Sequence, residues 1–138
     1  MNKFTNALGL DVGAVRIGVA RINSIAKIAE PLMVLQNNDA VNDQINRLTI
    51  EYNADLIVVG LPRNMSGETT KQTEYVRDFV EELIKSTSIN IVFQDETLST
   101  VAASQRMTIK TKNIEDAVAA AVILEDFLIT NDSASLVE

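Results

Sequence analysis

Two short, largely apolar runs, Leu56–Gly60 (LIVVG) and Ile89–Phe93 (INIVF), constrain this chain most. Each is too short for a buried helix and reads as a strand covered on both faces. Helical patterns surround them. Over residues 39–52, Val41, Ile45, Leu48 and Tyr52 recur at helical spacing; over residues 71–86, Val76, Phe79, Val80, Leu83 and Ile84 share one face. Strand–helix–strand units imply right-handed crossovers and parallel neighbours.

The opening third differs. Ala7–Gly13 and Arg16–Ile22 read as strands joined by a tight turn at Gly13-Ala14-Val15, and Ala29–Leu35 as a third strand. Pro31, near its start, suits an edge strand. After INIVF, Ser99 or Thr100 caps a helix running to about Met107, and Asn113 caps an alanine-rich helix over residues 114–129. The expected order is β-β-β-α-β-α-β-α-α: one α/β domain over residues 1–130, a mixed five-stranded sheet flanked by helices, and a flexible tail at 131–138. Ligands in such sheets bind beyond the carboxyl ends of the parallel strands.

Composition narrows the chemistry. The chain has neither cysteine nor histidine, which excludes disulfides, thiolate metal sites and any Ser-His-Asp or Cys-His mechanism. A hydrolase built from these residues works with carboxylates, lysine, hydroxyls or metals, and carboxylate oxygens favour magnesium or manganese over zinc. The N-terminus has no signal-peptide pattern and no run reaches membrane-spanning length, so a soluble cytoplasmic protein is expected. The net charge of −7 opposes nucleic-acid binding unless the positive charges are clustered.

Three acids fall where such a site belongs. Asp11 ends the first strand between Leu10 and Val12, Glu96 follows Asp95 just after INIVF, and Asp116 opens the alanine-rich helix. A carboxylate inside an apolar strand must be paired, capped or functional. Spacing alone leaves blander readings open: the helix dipole accounts for Asp116, and Asp95-Glu96 reads equally well as a solvated turn.

Four segments in order, LGLDVGAVRIGVA, IVVGLPRNMSGE, FQDETLST and IEDAVAAAVILEDFL, resemble the YqgF/RuvX family. Its members are described as Holliday junction resolvase-like proteins and as nucleases that trim the precursor of small-subunit ribosomal RNA. The resemblance covers roughly residues 7–129. It implies a ribonuclease H-like fold, and Asp11, Glu96 and Asp116 as catalytic ligands of Mg2+ or Mn2+.

Around these acids, Gly9 and Gly13 allow close backbone approach. Arg16 reads as a contact to a phosphate or to the acidic cluster, or equally as a structural ion pair, and the alanines of the last helix, Ala117, Ala119, Ala120 and Ala121, favour close packing on the sheet. The nucleic-acid-binding candidates are Arg16, Arg63, Asn64, Arg106, Lys110 and Lys112. The chain departs from the family pattern at Thr97, where arginine is usual. It departs again in the short Thr108–Asn113 stretch, and at Arg63 and Ser66, where leucine and aspartate are commoner.

The expected function is metal-dependent hydrolysis of phosphodiester bonds, processing the 5′ end of pre-16S rRNA during ribosome biogenesis. Structured RNA is the expected partner, branched DNA the second; the protein is a monomer or homodimer with no membrane association. The alternatives are a Holliday junction resolvase of DNA recombination and repair, for which two symmetric cuts require a two-fold dimer, or a catalytically weak nucleic-acid-binding module. An actin-like phosphate-binding reading needs two domains, and the chain has room for one.

Overall fold

The computed structural model describes residues 3–64, 66–96 and 112–137, with the side chains of 112–114 and 132–137 outside the description. The elements are β1 (Asn6–Val12), β2 (Arg16–Asn23), β3 (Glu30–Gln36), α1 (Val41–Glu51), β4 (Leu56–Leu61), α2 (Lys71–Ser86), β5 (Asn90–Asp95) and α3 (Lys112–Val137). They form a five-stranded sheet in the order β3-β2-β1-β4-β5. β1, β4 and β5 run parallel, and β2 and β3 extend the sheet antiparallel. This is the mixed sheet expected from the sequence. Pro31 lies in edge strand β3 beside a register shift at Val19/Ala20, where its missing N–H breaks no central ladder.

Strand alternation sends successive side chains to opposite faces. Leu8, Leu10 and Val12 of β1, Ile17 and Val19 of β2, and Ile57, Val59 and Leu61 of β4 pack on one face with Val41, Ile45 and Leu48 of α1 and Val76, Val80 and Leu83 of α2. On the other face, Ala7, Ala20, Ile22, Leu56 and Val58 meet Ala120, Ala121, Ile123, Leu124 and Phe127 of α3. Helix α2 is capped as its sequence allows: the Thr70 hydroxyl accepts from the Thr73 backbone, and the Thr73 hydroxyl accepts from the Thr70 backbone.

Two boundaries differ from expectation. α3 starts at Lys112, so Asn113 lies inside the helix rather than capping it, and α3 continues past Ile129 to Val137. Asn131 within this extension is buried. Local composition at TNDSAS gave no reason to extend the helix; continuing an existing helix costs little once its nucleus is formed. The expected helix from Ser99 or Thr100 to Met107 lies outside the described residues. Among the described residues, no helix is long and apolar enough to cross a membrane.

Candidate active site

Asp11 and the three glycines around it occupy the α3 face of the sheet. Asp11 pairs with Gly18 across β1 and β2, and Gly9 pairs with Ala20 and with Val58. A methyl group at Gly18 would sit 1.9 Å from the Asp116 carbonyl oxygen; at Gly9 it would sit 2.6 Å from Leu124 Cγ, and at Gly60, 2.4 Å from Ile123 Cδ1 and 2.8 Å from Glu96 Cδ. Three neighbouring strands thus lack side chains where α3 crosses them. The helix backbone comes down onto the sheet, and Asp116 is delivered beside Asp11. Of the alanines expected to pack closely, Ala117, Ala120 and Ala121 are buried, and Ala119 is half-buried.

Glu96 arrives from the third direction. It directly follows β5, its backbone N–H donates to the Leu61 carbonyl at 3.3 Å, and its carboxyl group lies beside Gly60. Asp11 and Glu96 therefore sit at the carboxyl edge of the parallel strands.

The electrostatics show their proximity. Asp11 is pushed up to about 6 from 3.8, first by burial and then by the negative charge of Asp116. Glu96 is pushed up to about 7 from 4.5, by burial, then by Asp11, then by Asp126. Desolvation and like charge both disfavour ionisation, so the pair resists carrying two charges at neutral pH. Asp126 escaped the sequence reading. Its only signal there is helical phase: it follows Ile123, which faces Gly60, by one turn.

Asp116 is engaged on its other side. Arg16 Nε donates to Asp116 Oδ2 at 2.8 Å, joining β2 to α3 across 100 residues of sequence, with both side chains about 30% exposed (32% and 29%). Among the described residues, no group of three or more carboxylates is arranged to hold a metal ion. Asp11 stands within electrostatic reach of both Glu96 and Asp116, but the three do not close into one cage while Asp116 turns to Arg16.

The turn after Asp11 is braced from two sides. Gly13 N–H donates to the Arg16 carbonyl at 2.9 Å, Asn37 Nδ2 donates to the Gly13 carbonyl and to Tyr75 Oη, both at 2.8 Å, and Gln72 Nε2 donates to the Val12 carbonyl at 3.1 Å. Asn37, Gln72 and Tyr75 were not singled out in the sequence, because these partners are distant along the chain.

The β4–α2 loop flanks the site. Arg63 Nε donates to Asp95 Oδ1 at 3.0 Å, tying the loop to the end of β5. Asn64 Oδ1 accepts from the backbone N–H groups of Ser66 and Glu68, so this oxygen folds the loop. Gly67 completes the turn at φ +80, a conformation that suits glycine. Arg106, Lys110 and Thr97 lie outside the described residues; Lys112 is in the first turn of α3, with its side chain outside the description. At the opposite, amino edge of the parallel strands, a cleft of about 550 Å3 is lined by uncharged residues, including Asn46, Thr49, Ser86 and Thr87.

Comparison with known proteins identifies the family and the fold. Residues 5–130 match the RuvX family, described as Holliday junction resolvase. A Rickettsia canadensis protein that carries the provisional name pre-16S rRNA nuclease is 39% identical over 132 residues, covering 90% of this chain and 86% of that protein. A Bacillus cereus (strain G9842) protein with the same name is 39% identical, covering 88% of this chain and 96% of its own length. Among solved structures, Thermus thermophilus RuvC in complex with a Holliday junction superposes with a TM-score of 0.60 at 10% identity, over 92% of this chain and 96% of RuvC. The large terminase nuclease of phage G20c does so with 0.54 at 10% identity, over 88% and 81%. At such identities these two show the fold alone, and it is the ribonuclease H-like fold expected from the four motifs.

Proposed function

Because the chain belongs to the RuvX family, we propose that it is a divalent-metal-dependent nuclease whose substrate is the precursor of 16S ribosomal RNA, cut near its 5′ end. The observation that carries the proposal is the Asp11–Glu96 pair, two partly buried carboxylates raised to about 6 and about 7 at the carboxyl edge of the parallel strands. A fold keeps mutually repelling carboxylates where a cation relieves them.

The donor set fits Mg2+ or Mn2+: the carboxylate oxygens are hard, and the chain has no imidazole or thiol. Asp11, Glu96 and Asp116 are the residues that would hold the ions. Bound there, the ions would supply an activated water and stabilisation of the leaving oxygen. The chain's own contribution is positional. β1 fixes Asp11 and the end of β5 fixes Glu96 on rigid backbone, the glycine floor brings Asp116 beside Asp11, and the braced Gly13 turn holds the rim.

Arg16, Arg63, Asn64, Arg106, Lys110 and Lys112 are proposed to grip the nucleic acid. With a net charge of −7, that grip is modest and weakens steeply with salt. The shared name of the relatives favours RNA as substrate and a cytoplasmic site of action.

The test is cleavage of a 16S rRNA precursor and of a four-way DNA junction, with Mn2+, by wild type and Asp11→Asn. RNA cutting that the mutant loses is the expected result. Cutting of the junction alone would replace the RNA assignment with a resolvase. No cutting of either substrate would leave a binding protein.

A further inference from the structure

The Arg16–Asp116 ion pair has a consequence beyond stability, which rests on the metal-dependent reading above. Asp116 is held by a cation of the protein itself, at 2.8 Å from Arg16 Nε. With that pair formed, no three carboxylates among the described residues are arranged for an ion. Asp116 also bears on Asp11 electrostatically, so its carboxylate lies near that member of the pair while it is bound to Arg16. Arg16 follows the turn at the rim of the site, on the same sheet face as Gly18 and Asp11, and is about one-third exposed.

We propose that Arg16 is a positioning residue that couples metal binding to nucleic-acid binding. Without nucleic acid, its guanidinium occupies Asp116 and stands in for a metal charge, so the site holds divalent ions weakly. A backbone phosphate at the rim competes for the guanidinium, which is well matched to phosphate oxygens. Asp116 is released toward Asp11 and Glu96, and the carboxylate set closes. Each ligand then strengthens the other by the same factor, as linkage requires. No bond is made or broken in this exchange; one ion pair replaces another. A free site that binds ions weakly is also guarded against hydrolysing nucleic acid bound in the wrong register.

A purely structural Arg16 predicts the opposite sign: removing it would loosen α3 and weaken metal binding. The variants are therefore Arg16→Gln and Arg16→Lys, each checked for folding by thermal melting. Mn2+ binding to the protein alone is measured by calorimetry, and binding of a non-cleavable 2′-O-methyl RNA duplex by fluorescence anisotropy with and without Mn2+. Arg16→Gln should bind Mn2+ roughly three- to tenfold more tightly than wild type, in the usual range of site-to-site coupling. Wild type should gain a similar factor in duplex affinity on adding Mn2+, and Arg16→Gln should gain almost none. Arg16→Lys, which keeps the charge without the fork, should fall between. Equal or weaker Mn2+ binding by Arg16→Gln, with wild type binding normally, overturns the coupling and leaves the nuclease reading intact. A wild type that binds no Mn2+ with or without the duplex overturns both.

Discussion

The two faces of the sheet are built to opposite specifications. Toward α1 and α2, β1 presents Leu8, Leu10 and Val12, and β4 presents Ile57, Val59 and Leu61, all buried. Toward α3, the same strands present Ala7, Gly9 and Asp11, and Leu56, Val58 and Gly60. Large side chains keep α1 and α2 at full packing distance and supply the hydrophobic stabilisation. Small ones let the α3 backbone touch the sheet near Gly18. One face holds the fold together; the other spends apolar area to bring Asp116 beside Asp11. The lesson is that close approach, more than burial, defines the functional face.

This contrast breaks in a definite order if cleavage by the folded protein is measured. Asp11→Asn should reduce cleavage most, by roughly a hundred- to a thousandfold, as for loss of one preorganised electrostatic group. The same change should stabilise the metal-free protein at pH 8. Asp11 is raised from 3.8 to about 6, so the native state binds more protons than the unfolded chain across that interval. Its favourable contribution is present below pH 4 and is lost as pH rises through 6; at pH 8 the ionised carboxylate costs on the order of 3 kcal/mol. Denaturant melts of both proteins in EDTA check this.

Gly18→Ala comes next. Its new methyl group meets the Asp116 carbonyl at 1.9 Å, so α3 must shift, at a cost of about 1–3 kcal/mol. In the presence of the non-cleavable RNA duplex, Mn2+ affinity should fall roughly tenfold as Asp116 moves away, the scale seen when supporting groups around a metal are lost; calorimetry reads it. Tyr75→Phe removes the phenol that accepts from Asn37 and loosens the brace on Gly13. A loss of about 1 kcal/mol of stability, with cleavage within about twofold of wild type, is expected from melting and kinetics.

Leu83→Ala, on the α1/α2 face where Leu83 is fully buried, sharpens the comparison from the other side. It should cost about 2–5 kcal/mol yet leave cleavage per folded molecule unchanged. If it lowered metal affinity as much as Gly18→Ala, the division of labour between the faces would be wrong.

What could be read in the sequence follows the range of the forces involved. Apolar runs and helical periodicity are local, so all five strands, α1 and α2 were legible within a few residues. Asp11 stood out because an acid between Leu10 and Val12 conflicts with its surroundings. The Arg16–Asp116 pair joins positions 100 residues apart, and the sequence could offer a contact to the acidic cluster only as one of three readings of Arg16. Gly18 and Gly60 look like ordinary strand glycines until α3 is laid over them. Asn64 has the composition of a contact residue, but its side-chain oxygen is used in folding its own loop. Asp126 was hidden in the helix that carries Asp116, since its effect on Glu96 depends on how α3 crosses the sheet.

The central claim is that Asp11 and Glu96 are held in a state that a divalent cation relieves. Carboxyl-carbon NMR titration of the two side chains, with and without Mg2+, tests it most directly. Without the ion they should titrate at about 6 and about 7; with saturating Mg2+ both should ionise well below those values. Ordinary titration near 4 without the ion, or unchanged titration with it, would contradict the account.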